Sequence, residues 1–296
     1  MGIGRYLSLV KFSHSVFALP FALQGAWLAQ RGVPGATTLL WIVVCAVAAR
    51  TAAMGYNRLV DRELDAANPR TSQRELPAGL VAASGVRSMV LLSSAVFIGG
   101  AFQLSALAGW LSLPVLLVLL GYSWMKRISF LAHGVLGIAL ALAPLGAWVA
   151  VRGNLEGDLL PVCALALAVL TWVAGFDLIY ACQDADFDRE RGLHSIPARF
   201  GVRGALRISS ILHVVTVLAL AFMAWRSELS WIFALAILGA ALLLVWEHRL
   251  VRPDDLSRVD MAFFTLNGWV GIALFVGMAL DLGLLSADTA SKIGGV

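Results

Sequence analysis

The chain alternates between long apolar stretches and short polar segments. Nine stretches approach the length of about 20 residues that an α-helix needs to cross a bilayer. They lie near residues 12–30, 36–58, 86–104, 106–123, 132–150, 159–180, 205–225, 229–247 and 261–282. Because bilayer hydrocarbon offers the backbone no hydrogen-bond partners, we predict an all-α integral membrane protein with nine transmembrane helices.

Composition agrees with this pattern and narrows the class of protein. Of the 296 residues, 60% are apolar and 14% are charged, whereas soluble domains carry about 25% charged residues. The three cysteines lie in or at the end of apolar stretches without CxxC spacing, so we predict neither a disulfide framework nor a zinc site. The first apolar stretch has no small-residue cleavage site, and we interpret it as an uncleaved span rather than a signal peptide.

Basic residues are distributed unequally between the two predicted sides of the membrane. With the N-terminus inside, the inner segments hold 17 Lys and Arg, the outer segments hold 4, and one more lies within a span. Such an excess marks the cytoplasmic side, so we predict an inside N-terminus and an outside C-terminus. The net charge of +4 therefore reflects topology, and no nucleic-acid partner is expected.

Two inner segments, 57–79 and 177–201, hold nine of the 18 acidic residues. Each contains a four-residue spacing, formed by Asn57, Asp61 and Asp65 in the first and by Tyr180, Asp184 and Asp188 in the second. The two sets are 123 residues apart, which indicates a weak internal repeat, about 12–123 and 132–247, within a single domain 1–296.

Carboxylates four residues apart share one face of a helix and repel each other, so they need a compensating cation. Mg²⁺ is held by one or two carboxylates together with substrate phosphates, and two such sites would clamp a diphosphate from both sides. Basic side chains interleaved with the acids suit phosphate oxygens as well, namely Arg62, Arg70, Arg74, Lys126, Arg127, Arg189 and Arg191. The alternative is that both segments are hydrated loops of mixed charge.

Arg50 lies inside the second predicted span, seven residues before Asn57 and close to the same helix face. An arginine at membrane depth costs at least roughly 2.5 kcal/mol on insertion scales. We therefore expect Arg50 to face a polar cavity and to bind an anionic ligand. A structural ion pair with an internal acid such as Asp177 is the alternative.

Three motifs make the chain similar to the UbiA-type membrane prenyltransferases over essentially its whole length. The family's NDxxDxxxD motif corresponds to residues 57–65, where Arg58 replaces the first aspartate. The second family motif ends in DxxxD, here Asp184 to Asp188, and a YxxxK motif matches Tyr122 to Lys126. The CDP-alcohol phosphotransferases, another class of lipid-phosphate enzyme, would need a D-G-x-x-A-R run, which this sequence lacks.

The resemblance implies a bundle of nine helices around a central cavity that opens to the cytoplasmic face of a bacterial inner membrane. It implies that Mg²⁺ and diphosphate are gathered by Asn57, Asp61, Asp65, Asp184 and Asp188. Tyr122 and Lys126 would hold or release the diphosphate, and Arg50 would orient the aromatic substrate. We assign Arg62, Arg70, Arg74 and Arg189 to the diphosphate, and Asp177 to the acceptor's hydroxyl or ring proton.

The predicted reaction transfers a polyprenyl group from polyprenyl diphosphate to a small aromatic carboxylic acid, with the prenyl tail among the spans and membrane lipid. The segments at residues 11–23 and 61–79 are most similar to the 4-hydroxybenzoate polyprenyltransferase-like branch of the family, which acts in ubiquinone biosynthesis. That branch also includes enzymes that prenylate 1,4-dihydroxy-6-naphthoate in menaquinone biosynthesis. Protohaem farnesyltransferases and chlorophyll synthases share the fold, and a secondary transporter is the alternative that is not an enzyme.

Overall fold

The computed structural model describes residues 3–11 and 18–293, and it describes side chains as far as residue 283. Within these residues the chain is helical, and its only β-type pairing is an isolated bridge between Arg252 and Asp255. The α-helices in chain order are α1 (Ile3–Leu9), α2 (Leu19–Gln30), α3 (Ala36–Val60), α4 (Arg62–Ala67), α5 (Ala83–Leu104), α6 (Ala106–Gly121), α7 (Met125–Ile128), α8 (Ala132–Arg152), α9 (Leu160–Ala181), α10 (Ala185–Glu190), α11 (Ile196–Arg226), α12 (Trp231–Leu250) and α13 (Asn267–Ile293).

Eight helical segments of the described chain are long and apolar enough to cross a membrane. They are Ala36–Val60, Ala83–Leu104, Ala106–Ile128, Ala132–Arg152, Leu160–Glu190, Ile196–Arg226, Trp231–Leu250 and Met261–Gly283. The first predicted span, 12–30, is described only as the 12-residue helix α2, since residues 12–17 lie outside the described residues. The all-α fold is therefore confirmed, while the ninth span and the orientation of the termini stay predictions.

The second acidic segment is largely helical, as its four-residue spacing indicated, and it is not the hydrated loop of the alternative interpretation. After α9 the chain makes a short 3₁₀ turn at Cys182–Asp184 and continues directly into α10, so most of this motif is helical. A short helical segment from Ile196 precedes the following span, and Gly201, where φ is 72°, separates it from the longer helix that continues to Arg226. Glycine tolerates this left-handed conformation because it has no Cβ. Asp184 and Asp188 of the second motif thus lie on helical backbone that continues from α9.

The core is centred on α9, which packs between α8 and α11. Its side chains at Leu165, Trp172 and Val173 are almost fully buried. Small residues let the neighbouring backbones approach, as is common between helices in membranes. At Gly137 of α8, an added Cβ would lie 2.5 Å from the carbonyl oxygen of Leu170 in α9. This close packing fixes α8 and α9, which carry one wall of the site.

Substituting Gly25 is expected to destabilise the contact between α2 and α8. A Cβ at Gly25 would lie 2.2 Å from the carbonyl oxygen of Pro144, and a backbone atom in a packed helix cannot move aside. Overpacking of this kind costs about 1–3 kcal/mol, so Gly25→Ala should lower the melting temperature in detergent. Gly99→Ala is the control, because nothing lies within 4 Å of its added Cβ. Equal melting of both variants would contradict the packing described.

Candidate active site

A polar cavity of about 300 Å³ lies between the ends of α3, α8 and α9. Eleven of the thirteen predicted site residues line it. These are Arg50, Asn57, Asp61, Asp65, Arg70, Arg74, Tyr122, Lys126, Asp177, Asp184 and Asp188. The fold therefore brings the two acidic motifs, the YxxxK motif and the intramembrane arginine to one cavity.

The first motif sits where one helix ends and another begins. Helix α3 ends at Val60, Asp61 joins it to α4, and Asp65 lies buried on α4. The Asn57 side chain donates from Nδ2 to Asp61 Oδ2 at 2.9 Å. The four-residue spacing thus places the three predicted ligands on one side of the chain, as expected for a helix.

Basic side chains lie against both carboxylates of the first motif. Arg127 Nη1 is 3.0 Å from Asp61 Oδ1, and Arg74 Nη1 is 2.7 Å from Asp65 Oδ1. Burial raises the pKa of the Asp61 carboxyl, and the positive charges of Arg127 and Lys126 oppose that shift. A carboxylate in this setting needs a nearby cation to stay charged.

The second motif is paired across the cavity with the segment that follows α4. Arg70 forms an ion pair with Asp184, and Asn68 Nδ2 donates to Asp184 Oδ1 at 2.9 Å. Lys126 Nζ lies 3.7 Å from Asp188 Oδ1. The sequence predicted a compensating cation for the acidic stripes, and in this structure Arg and Lys side chains supply that charge.

The acidic motifs also keep buried carboxylate oxygens that accept no hydrogen bond from the described residues. Asp65 Oδ2 and Asp188 Oδ1 have only ion-pair neighbours at 3.9 and 3.7 Å, and Asp188 Oδ2 has neither kind of partner. Among the described residues, no three His, Cys, Asp or Glu side chains gather as a complete metal cage. Sites with one or two carboxylates and free oxygens fit Mg²⁺, which takes its other ligands from substrate phosphates and water.

Two predicted diphosphate contacts lie outside the cavity lining. Arg62 is exposed on α4. Arg189 is exposed on α10 and pairs with the exposed Asp186 at 2.8 Å. Helix periodicity explains both positions, because Arg62 follows Asp61 directly and Arg189 follows Asp188 directly, so each side chain points away from the inward stripe.

Arg58, which replaces the first aspartate of the family motif, is buried and lines the polar cavity. Its Nε donates to the carbonyl oxygen of Leu9 in α1 at 3.3 Å, and its Nη1 lies 3.9 Å from Asp65 Oδ2. Arg58 thus ties the N-terminal helix to the first motif and adds positive charge beside it.

Arg50 stands between the polar cavity and a second, apolar cavity of about 190 Å³. The two cavities share a wall made by Arg50, Met54, Tyr122, Leu136 and Leu140. Within the described part of the chain Arg50 has no ion pair, and its Nε is buried without a hydrogen-bond partner. The alternative of a structural pair with Asp177 is therefore not observed.

Asp177 has a different partner, which the sequence analysis missed. Its Oδ2 lies 2.6 Å from Nδ1 of the buried His133, at the start of α8. Asn68, the partner of Asp184, was missed as well. Both residues belong to polar segments or span ends, where periodicity gives no signal of which distant side chain they will meet.

Comparison with known proteins identifies the family of this chain. The model of the UbiA prenyltransferase family matches residues 18–269. The chain is 33% identical over 258 residues to the 4-hydroxybenzoate octaprenyltransferase of Tolumonas auensis, covering 87% of this chain and 88% of the relative. It is 31% identical over 259 residues to the enzyme of the same name from Serratia proteamaculans, covering 88% of each.

Solved structures agree with the fold. The apo structure of a UbiA homologue from Aeropyrum pernix K1 aligns with a TM-score of 0.83 and 34% identity, covering 91% of this chain and 98% of that chain. A UbiA homologue from Archaeoglobus fulgidus bound to GPP and Mg²⁺ aligns with a TM-score of 0.67 and 18% identity, over 93% of this chain and 99% of that chain. Given the family match across residues 18–269 and these relatives, the chain belongs to the UbiA prenyltransferase family and is an integral membrane enzyme similar to the 4-hydroxybenzoate polyprenyltransferases.

Proposed function

We propose that this enzyme transfers a polyprenyl group from polyprenyl diphosphate to the ring of a small aromatic acid, most simply 4-hydroxybenzoate, with Mg²⁺ as cofactor. The observation that carries the proposal is the junction of two cavities, one polar with two acidic motifs and one apolar. A polyprenyl diphosphate has the same two parts, a charged head and an apolar chain. The curated relatives named above support 4-hydroxybenzoate as the acceptor.

The donor's diphosphate belongs in the polar cavity, where positive and negative side chains alternate. Asp61, Asp65, Asp184 and Asp188, with Asn57, are the residues that would hold Mg²⁺. When bound, Mg²⁺ supplies positive charge that stabilises the departing diphosphate. Arg70, Arg74 and Lys126 now pair with motif carboxylates, and we propose that they turn to phosphate oxygens when the donor binds.

The prenyl chain belongs in the apolar cavity on the far side of Arg50 and Tyr122. Its lining is dominated by alanine, including Ala46, Ala49 and Ala147, so the side chains leave space between α2, α3, α5, α6 and α8. The allylic carbon would then lie at the shared wall, next to the polar groups.

The acceptor ring is expected at this same wall. The Arg50 guanidinium would bind its carboxylate, because it is buried and has no acidic partner in the described chain. The allylic C–O bond breaks and both electrons leave with the diphosphate. The ring carbon beside the hydroxyl provides the electron pair for the new C–C bond, and the ring proton passes to the Asp177 carboxylate. Apolar walls limit the access of water, which would otherwise quench the allylic cation.

We further propose that the protein lies in a bacterial inner membrane and that the cavity opens to the cytoplasm. The excess of basic residues on the side of the acidic motifs supports this orientation. The family membership favours an enzyme over a secondary transporter.

A direct test offers the purified enzyme 4-hydroxybenzoate and 1,4-dihydroxy-6-naphthoate side by side, with Mg²⁺ and labelled polyprenyl diphosphate. We expect a prenylated product from 4-hydroxybenzoate, identified by mass, and none in an Asp61→Ala control. Product only from the naphthoate would move the enzyme to menaquinone biosynthesis. Absence of product from either acid, with folded protein, would contradict the acceptor class and favour a larger acceptor.

A further inference from the structure

The pair formed by His133 and Asp177 has features that a simple helix–helix contact does not explain. His133 lies in the first turn of α8 and is 2% exposed, while Asp177 lies on α9 and its side chain is 23% exposed. Both residues line the polar cavity, so the exposed part of Asp177 faces that cavity. The Asp177 carboxylate therefore lies closer to the open part of the cavity than the buried His133 ring does.

The hydrogen bond has one direction. An ionised carboxylate only accepts, so Nδ1–H of His133 donates to Asp177 Oδ2 over 2.6 Å. The other ring nitrogen, Nε2, is buried and has no hydrogen-bond partner among the described residues. A neutral ring with its hydrogen on Nδ1 avoids an unpaired N–H at that buried position, which would cost more than an unpaired acceptor.

The second carboxylate oxygen, Asp177 Oδ1, has no hydrogen bond to any described residue and remains available on the cavity side. With His133 on Oδ2 and a ligand hydroxyl on Oδ1, each oxygen of this carboxylate would accept one hydrogen bond and keep a lone pair for the ring proton. Without the histidine, the Asp177 side chain would be free to rotate about its last torsion, which is broad for a carboxylate.

We propose that His133 is a positioning residue that fixes the Asp177 carboxylate so that Oδ1 accepts a hydrogen bond from the ring hydroxyl of the acceptor. His133 itself does not contact the substrate. This inference rests on the proposed function, because it needs an acceptor with a ring hydroxyl. It adds the group that recognises this hydroxyl, at the opposite end of the acceptor from the carboxylate that Arg50 binds.

A matched pair of variants separates this role from packing. Asn places its Nδ2 where the histidine has Nδ1 and preserves the donor, whereas Leu has nearly the same shape as Asn and no donor. We expect His133→Asn to keep the wild-type preference for 4-hydroxybenzoate over benzoate when the two compete. In His133→Leu this preference should fall about tenfold, because one hydrogen bond to a charged group contributes roughly that much. His133→Ala carries the same expectation as Leu if the Leu variant does not fold.

The measurement is the ratio of inhibition constants for benzoate and 4-hydroxybenzoate against a fixed labelled acceptor, together with KM for the prenyl diphosphate. The inference predicts a changed ratio in the Leu variant with an unchanged KM for the donor. It also predicts that His133→Leu has no further effect on the ratio in an Asp177→Asn background. Equal ratios in the Asn and Leu variants would overturn the inference, whereas a wild-type enzyme inactive on hydroxyaromatic acids would instead overturn the proposed function.

Discussion

Asp188→Asn is expected to reduce prenyl transfer by about 10²- to 10³-fold, the usual loss when one group that stabilises developing charge is removed. Asp188 is the most buried of the motif carboxylates at 1% exposure, and both its oxygens lack hydrogen-bond partners. Its one ionic neighbour is Lys126, 3.7 Å away. A buried carboxylate whose oxygens accept no hydrogen bond is suited to bind a cation, and an amide in its place has half the acceptor atoms and no charge.

The neighbouring Asp186 provides a matched control on the same helix. Its side chain is 89% exposed and pairs with Arg189, which is also exposed. Exposed pairs of this kind contribute about 0–1 kcal/mol, so Asp186→Asn should leave the initial rate within twofold. The comparison uses rates at saturating Mg²⁺ and melting temperatures for both variants. Similar losses of activity in the two variants would show that the buried carboxylate has no special role.

Arg50→Ala is expected to raise KM for the aromatic acid without a matching change in KM for the prenyl diphosphate. Truncating one partner of a buried, hydrogen-bonded charge pair costs about 2–5 kcal/mol, which is roughly a 30-fold or larger loss of affinity. The expectation follows from the position of Arg50 at the wall shared by the two cavities, with no acidic partner in the described chain.

A neutral acceptor supplies the control for Arg50. 4-Hydroxybenzamide keeps the ring and the hydroxyl but lacks the negative charge, so the wild-type enzyme should prefer the acid and the Arg50→Ala variant should lose that preference. The readout is kcat/KM for each acceptor in each protein. If both proteins discriminate acid from amide equally, Arg50 does not bind the acceptor's carboxylate and its role must lie elsewhere in the cavity.

Much of the site was predictable because it follows from spacing along helices. Four-residue steps place Asp61 and Asp65, and likewise Asp184 and Asp188, on one face, and all four line the cavity. Arg50 was predictable from the energetic cost of a charge within an apolar span. The same periodicity also indicates why Arg62 and Arg189, each adjacent to a motif aspartate, point elsewhere.

Contacts between distant segments were not predictable from one sequence. The pairing of Arg70 with Asp184 joins residues 114 positions apart, and that of His133 with Asp177 joins residues 44 positions apart. Such contacts depend on how α3, α8 and α9 are arranged in three dimensions. Local patterning predicted the bounds of α9 closely, but it did not show that the polar chain after Ala181 continues through a 3₁₀ turn into α10.

The burial of Arg58 is another result that local patterning could not provide. In the sequence, Arg58 is recognisable only as a basic residue in place of the first aspartate of the family motif. In the structure its guanidinium donates to the carbonyl oxygen of Leu9, at the end of α1. This contact depends on the position of a short N-terminal helix whose seven residues carry no strong signal of their own.

The most direct test of the central claim is the stoichiometry of product and released diphosphate from the purified enzyme in lipid vesicles. With 4-hydroxybenzoate and polyprenyl diphosphate, we predict prenylated acid and diphosphate in equal amounts when Mg²⁺ is present, and neither product after chelation. Restoring Mg²⁺ should restore both. Transfer that continues undiminished after chelation, or folded enzyme that binds the donor and releases no diphosphate with any hydroxyaromatic acid, would contradict the account.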